Sequence, residues 1–149
     1  MLNASDIMTT EVITVKKETS LKELARIFYK GHINGVPVVD DEDLVIGIIC
    51  ESDLIRKEKK LHIPTVVALF DWVLYLERPK NIEKEVQRVN AITVEDLYTK
   101  DLVTVDEKMP IDEIATLMAQ KRIYTIPVMD RERLVGIIGK TDLISTLVH

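Results

Sequence analysis

Short β-branched runs alternate along this chain with segments whose apolar positions recur at helical spacing. Residues 12–15 and 102–105 are too brief for helices and predict a first strand in each half. Ser20-Leu21-Lys22-Glu23 has the form of a capping box, and Leu21, Leu24, Ala25 and Phe28 follow at the spacing of one buried helix face. In the second half Pro110 takes the first helical position, and Ile111, Ile114, Ala115 and Met118 supply the face. Residues 36–39 and 126–129 predict second strands, each with a proline near its start that suits a strand end or edge. Polar turns at 40–43 and 130–133 lead to third strands at 44–49 and 134–138, so strands two and three form a hairpin. A last helix is entered at Asp53 and again at Asp142.

The two halves are therefore copies of one plan, strand, helix, strand, strand, helix. Thr14-Val15 matches Thr104-Val105, Pro37-Val38 matches Pro127-Val128, and Asp40 matches Asp130. After the acidic turn the second copy is one residue shorter, so Gly47 matches Gly136. A repeat this short leaves apolar surface uncovered, which predicts an α+β fold in which the two copies pack on each other and share one core. The expected organisation is a first repeat over residues 1–60, a helical insert over 61–91 and a second repeat over 92–149, the repeats forming one module. The insert has no counterpart in either copy. Its apolar face, with Phe70, Trp72 and Tyr75, predicts a subunit contact or a cap over the core.

Charge narrows the partners. A formal net charge of −5 repels nucleic acid phosphates and anionic lipid. The most apolar stretch falls short of the roughly 20 residues that span a bilayer, and residues 1–6 lack the pattern of a signal peptide. A cytoplasmic protein with no nucleic acid or membrane partner is expected. Cys50 is the one cysteine and reads as a small packed residue. His32, His62 and His149 have no ligand-like spacing, so no metal is expected, and no nucleophile–base constellation supports catalysis. The run Asp40, Asp41, Glu42, Asp43 could hold a cation, yet a hairpin turn needs polar residues in any case.

The chemistry gathers at two corners. Gly47-Ile48-Ile49-Cys50-Glu51-Ser52-Asp53 and Gly136-Ile137-Ile138-Gly139-Lys140-Thr141-Asp142 each run from a strand into a helix. Ser52 and Thr141 could cap an unpaired backbone N–H while the Asp offsets the helix dipole. The same corner could instead bind a ligand, because a fixed carboxylate can accept from both hydroxyls of a ribose.

These corners, with Val36-Pro37-Val38 and Ile126-Pro127-Val128 before them and the lead-ins Asp6-Ile7-Met8-Thr9 and Asp96-Leu97-Tyr98-Thr99, resemble the cystathionine β-synthase (CBS) domain pair, or Bateman module. The resemblance covers both repeats. It implies a pseudo-two-fold pair with two clefts that bind an adenosyl compound, AMP, ADP, ATP or S-adenosylmethionine, as a regulatory ligand, with no required cofactor. By that pattern Asp53 holds a ribose beside Ser52, Tyr98, Val103, Tyr124 and Thr125, and Asp142 does so beside Thr141, Met8, Ile13, Asn34 and Gly35. The family commonly places Ser or Thr three residues before the Asp, where its hydroxyl meets phosphate. Here those positions are Cys50 and Gly139, which favours a ligand with little or no phosphate. Lys140, Arg56 and Arg122 are basic residues that could replace the missing contact. Family members often pair, so a homodimer and an unidentified protein target are expected. The competing expectation is a structural or protein-interaction module whose clefts bind no nucleotide.

Overall fold

The computed structural model describes residues 1–55 and 92–148. The predicted insert, its face around Phe70, Trp72 and Tyr75, and Arg56 lie outside the described residues. The first repeat comprises helices α1 (Ala4–Ile7) and α2 (Leu21–Gly31), strands β1 (Gly35–Val39) and β2 (Val45–Cys50), and helix α3 (Glu51–Ile55). The second opens with a 3-10 turn, Val94–Asp96, and continues through β3 (Val105–Asp106), α4 (Ile111–Lys121), β4 (Thr125–Asp130), β5 (Arg133–Gly139) and α5 (Lys140–Ser145).

In both repeats the predicted hairpin forms, β1 antiparallel to β2 and β4 antiparallel to β5, each with a register shift before the turn. The predicted first strands are much shorter than 12–15 and 102–105. Val15 makes a single parallel bridge to Val38, and β3 pairs with β4 over Val105 and Asp106 alone. This shortening accommodates the prolines: Pro37 lies in β1, an edge strand of the two-stranded sheet, as expected, whereas Pro127 lies in β4, the middle strand of three, just before its pairing with β3 begins at Val128. Val15 N–H donates to the Pro37 carbonyl at 3.1 Å, so the Pro37 nitrogen faces the same side, where the neighbouring strand has not yet begun. A missing N–H there forfeits no ladder bond.

Helix α2 buries the predicted face, Leu21, Leu24, Ala25 and Phe28, and Ser20 Oγ accepts from Glu23 N–H at 3.1 Å. Helix α4 is rotated relative to expectation: Ile114 and Met118 are buried, Ile111 is half-buried, and Ala115 is exposed. Leu117 packs against the core in its place, because an isobutyl group removes more apolar area from water than a methyl. Pro110 stands at the N-cap, one residue before the predicted position.

The expected single core is replaced by two. One gathers Val15, Leu24, Phe28, Val38, Ile49 and Leu54 with Val94, Leu97 and Tyr98 from the second repeat. The other gathers Val105, Ile114, Met118, Ile126, Val128 and Ile138 with Ala4, and Ile7 and Met8 pack against it from the first repeat. Each repeat thus lends its lead-in to the other. Thr9 bridges Ile137 beside β5, and Thr99 bridges Ile48 beside β2. Ala4 N–H donates to Met109 O and Val94 N–H to Thr19 O, both at 2.9 Å, which is one contact written twice in the register of the repeat.

Candidate functional site

Where the hairpins enter their last helices, the first turn is short of hydrogen-bond acceptors, and in both copies the Asp supplies one. Asp53 Oδ2 accepts from Cys50 N–H at 2.8 Å, and Asp142 Oδ2 accepts from Gly139 N–H at 2.7 Å. Capping therefore falls to the carboxylates and not to Ser52 and Thr141, which are exposed. A side chain at the third helical position reaches back to the N-cap N–H, whereas one at the second points outward.

Two clefts open beside these corners. The first, of about 270 Å³, is lined by Asp53, Ser52, Val103, Tyr124 and Thr125, as expected, and also by Cys50, Glu51, Thr99, Asp101 and Arg122. The second, of about 240 Å³, is lined by Asp142, Thr141, Ile13, Asn34 and Gly35, with Thr9, Glu11, His32, Ile137 and Gly139 added. Both are near the lower end of the size that takes a small ligand, about 300 Å³ and upward. A wider, open hollow of about 700 Å³ runs along α2 and contains neither aspartate.

Tyr98 and Met8 do not line the clefts. The Tyr98 ring packs over Gly47, where an added Cβ would lie 2.5 Å from it, and Met8 covers Gly136 in the same way. Both lead-in side chains belong to the cores. Tyr124 is half-exposed at the mouth of the first cleft, with Lys140 Nζ 5.6 Å from its ring centroid. Lys140 does not line a cleft; of the expected basic residues Arg122 does.

The two linings superpose through the repeat. Thr9 answers Thr99, Glu11 answers Asp101, Ile13 answers Val103 and His32 answers Arg122. His32 and Arg122 close α2 and α4 in the left-handed conformation, at φ 49° and 53°, a region that favours glycine. Asn34 and Thr125 border both clefts. The clefts meet there because β1 and β4 approach closely: a Cβ on Gly35 would stand 2.9 Å from Thr125 Oγ1. At the acidic turn, Asp40 Oδ1 accepts from the N–H groups of Glu42 and Leu44, and no group of three or more metal-ligating side chains gathers among the described residues.

Among the described residues no helix is long and apolar enough to cross a membrane. An uncharacterized protein of Methanocaldococcus jannaschii is 31% identical over 96% of this chain and 89% of its own length. The inosine-5′-monophosphate dehydrogenase of the same organism is 29% identical over 95% of this chain, which spans 23% of that enzyme. Among solved structures, the CBS domain pair of protein MJ0100, in complex with 5′-methylthioadenosine and S-adenosyl-L-methionine, is 25% identical with a TM-score of 0.71, covering 99% of this chain and 97% of that one. The CBS domain family model matches residues 4–60 and 94–149. Two matches in tandem, on a doubled strand–helix–hairpin–helix plan with crossed lead-ins, place the chain in the CBS domain family as a CBS domain pair.

Proposed function

We propose that this chain is a non-catalytic regulatory module that binds an adenosyl compound in a cleft between its two repeats. The supporting observation is the pair of clefts, each bordered by both repeats and by an aspartate held in place at its wall. A carboxylate fixed by a backbone N–H, as Asp142 is by Gly139, is preorganised to accept from a ribose hydroxyl, at about 1.5–3 kcal/mol for a hydrogen bond to a charged group. The related pair that carries 5′-methylthioadenosine and S-adenosyl-L-methionine supports the same ligand class. Within that class, Cys50 and Gly139 bring no hydroxyl to a phosphate, so compounds with little or no phosphate are favoured over AMP, ADP and ATP.

The second reading is a structural or interaction module, and one observation favours it. Asp53 is 3% exposed and both its carboxylate oxygens already accept bonds within the protein. A thermal-shift panel of adenosine, 5′-methylthioadenosine, S-adenosylmethionine, AMP, ADP and ATP separates the two. A ligand at one hundred times its Kd stabilises the fold by about 2.7 kcal/mol, which at this size raises Tm by about 5–10 °C. A rise of that order with at least one compound supports the regulatory reading; no shift with any of them leaves the structural one.

A further inference from the structure

The two aspartates occupy the same place in the repeat but not the same bonding state. Asp53 Oδ2 accepts from Cys50 N–H, and its Oδ1 accepts from the Thr99 hydroxyl at 3.0 Å, so both oxygens are engaged on a residue that is 3% exposed. Asp142 Oδ2 accepts from Gly139 N–H, but Oδ1 has no partner among the described residues. No buried side-chain oxygen among those residues lacks a partner, so Asp142 Oδ1 reaches solvent, and its side chain borders the second cleft. Thr9, the repeat equivalent of Thr99, is exposed and makes no hydrogen bond to Asp142. A ribose diol needs open acceptor positions, and of the two corner aspartates only Asp142 keeps a carboxylate oxygen that the described residues do not already use.

The cations differ, though both linings are acidic: Arg122 borders the first cleft beside Glu51, Asp53 and Asp101, whereas the second carries Glu11 and Asp142 with no Lys or Arg among its described lining residues. A polyanionic tail meets no Lys or Arg among the described lining residues of that cleft, while a neutral or cationic substituent at the ribose 5′ position meets no repulsion from them.

We propose that the repeats have divided their roles: the Asp142 cleft is the one ribose-reading site, taking one neutral or sulfonium-bearing adenosyl compound per chain, and the Asp53–Thr99 pair is an internal clasp. The clasp joins the last helix of the first repeat to the lead-in of the second, which crosses to bridge Ile48. This rests on the adenosyl-binding reading above and adds which cleft is used, the stoichiometry and the charge of the ligand.

Calorimetric titration of the full chain with 5′-methylthioadenosine tests it, with AMP as the anionic comparator. The expected result is one molecule bound per chain, with AMP at least about tenfold weaker. Asp142→Asn should weaken binding by at least about tenfold, while Asp53→Asn leaves affinity and stoichiometry within about twofold. Since Asp53 is buried, Thr99→Val provides a second break in the clasp, and it too should leave the affinity of the site within about twofold. Two equivalent sites in the unaltered chain would overturn the proposal. So would loss of binding in Asp53→Asn and Thr99→Val with Asp142→Asn unaffected, or tighter binding of AMP. If 5′-methylthioadenosine gives no heat while AMP raises Tm, the division of roles fails and the adenosyl reading stands. If no adenosyl compound binds or stabilises, both fail.

Discussion

Position 139 shows how one residue sets what a cleft can read. Gly139 has extended backbone, φ −103° and ψ 169°, and a Cβ there would meet nothing nearer than the Tyr124 carbonyl at 3.7 Å. Neither the backbone torsion nor the space for a Cβ demands glycine. No contact of a Cβ therefore excludes a hydroxyl-bearing side chain at this position. Introducing one should change specificity without harming the fold: in Gly139→Thr, AMP gains about tenfold in affinity relative to 5′-methylthioadenosine, the worth of one hydrogen bond to a charged oxygen, and Tm holds. Competition binding checks the ratio, and an unchanged ratio would show that no phosphate passes this corner. The two aspartates were legible from the doubled spacing alone, but their different bonding states were not. Thr99 lies 46 positions from Asp53, and no local pattern joins them. The same holds for Tyr98 and Met8, whose part in the cores follows from the glycines they cover and not from their own neighbours in sequence.

At the level of elements, the crossing of the lead-ins decides the architecture. Each lead-in contacts the other repeat's hairpin through one bridge and one side chain laid over a glycine. The two crossings differ in hardness. A Cβ on Gly47 would stand 2.5 Å from the Thr99 carbonyl oxygen as well as from the Tyr98 ring, whereas on Gly136 its three nearest neighbours would all be atoms of the Met8 side chain. Gly47→Ala should therefore cost about 1–3 kcal/mol, lowering Tm by about 3–10 °C, and Gly136→Ala clearly less. Thermal unfolding of both variants measures this, and equal losses would mean that backbone proximity at Gly47 is not what docks the second lead-in. The helical faces and hairpins were legible because period and turn chemistry are local signals. The crossings were not, since a single-residue bridge leaves no alternation to detect. For the same reason the first strands were read as longer than they are: Ile13 and Val103 are β-branched, yet they form cleft walls and do not pair in a sheet. Much of the cleft lining was nonetheless recoverable by reading across the repeat, because Thr9 and Thr99, and His32 and Arg122, are equivalent positions.

The described residues form two interlocked repeats that meet where Gly35 approaches Thr125, with Asn34 and Thr125 shared by both clefts. A ligand bound there touches residues from both repeats, so its binding free energy favours the docked arrangement of the two halves over any that separates them. That is the physical basis for a regulatory role: a signal in small-molecule concentration becomes a change in the stability and population of one assembled form. The account stands on an adenosyl ribose meeting the open carboxylate oxygen of Asp142. A crystal structure of the chain grown with 5′-methylthioadenosine tests this most directly. The account predicts the ribose hydroxyls within hydrogen-bond distance of Asp142, with the purine between Ile13 and the start of β1, and Asp53 still bonded to Thr99. A nucleoside seated at Asp53 instead, or both clefts empty at saturating ligand, would contradict it.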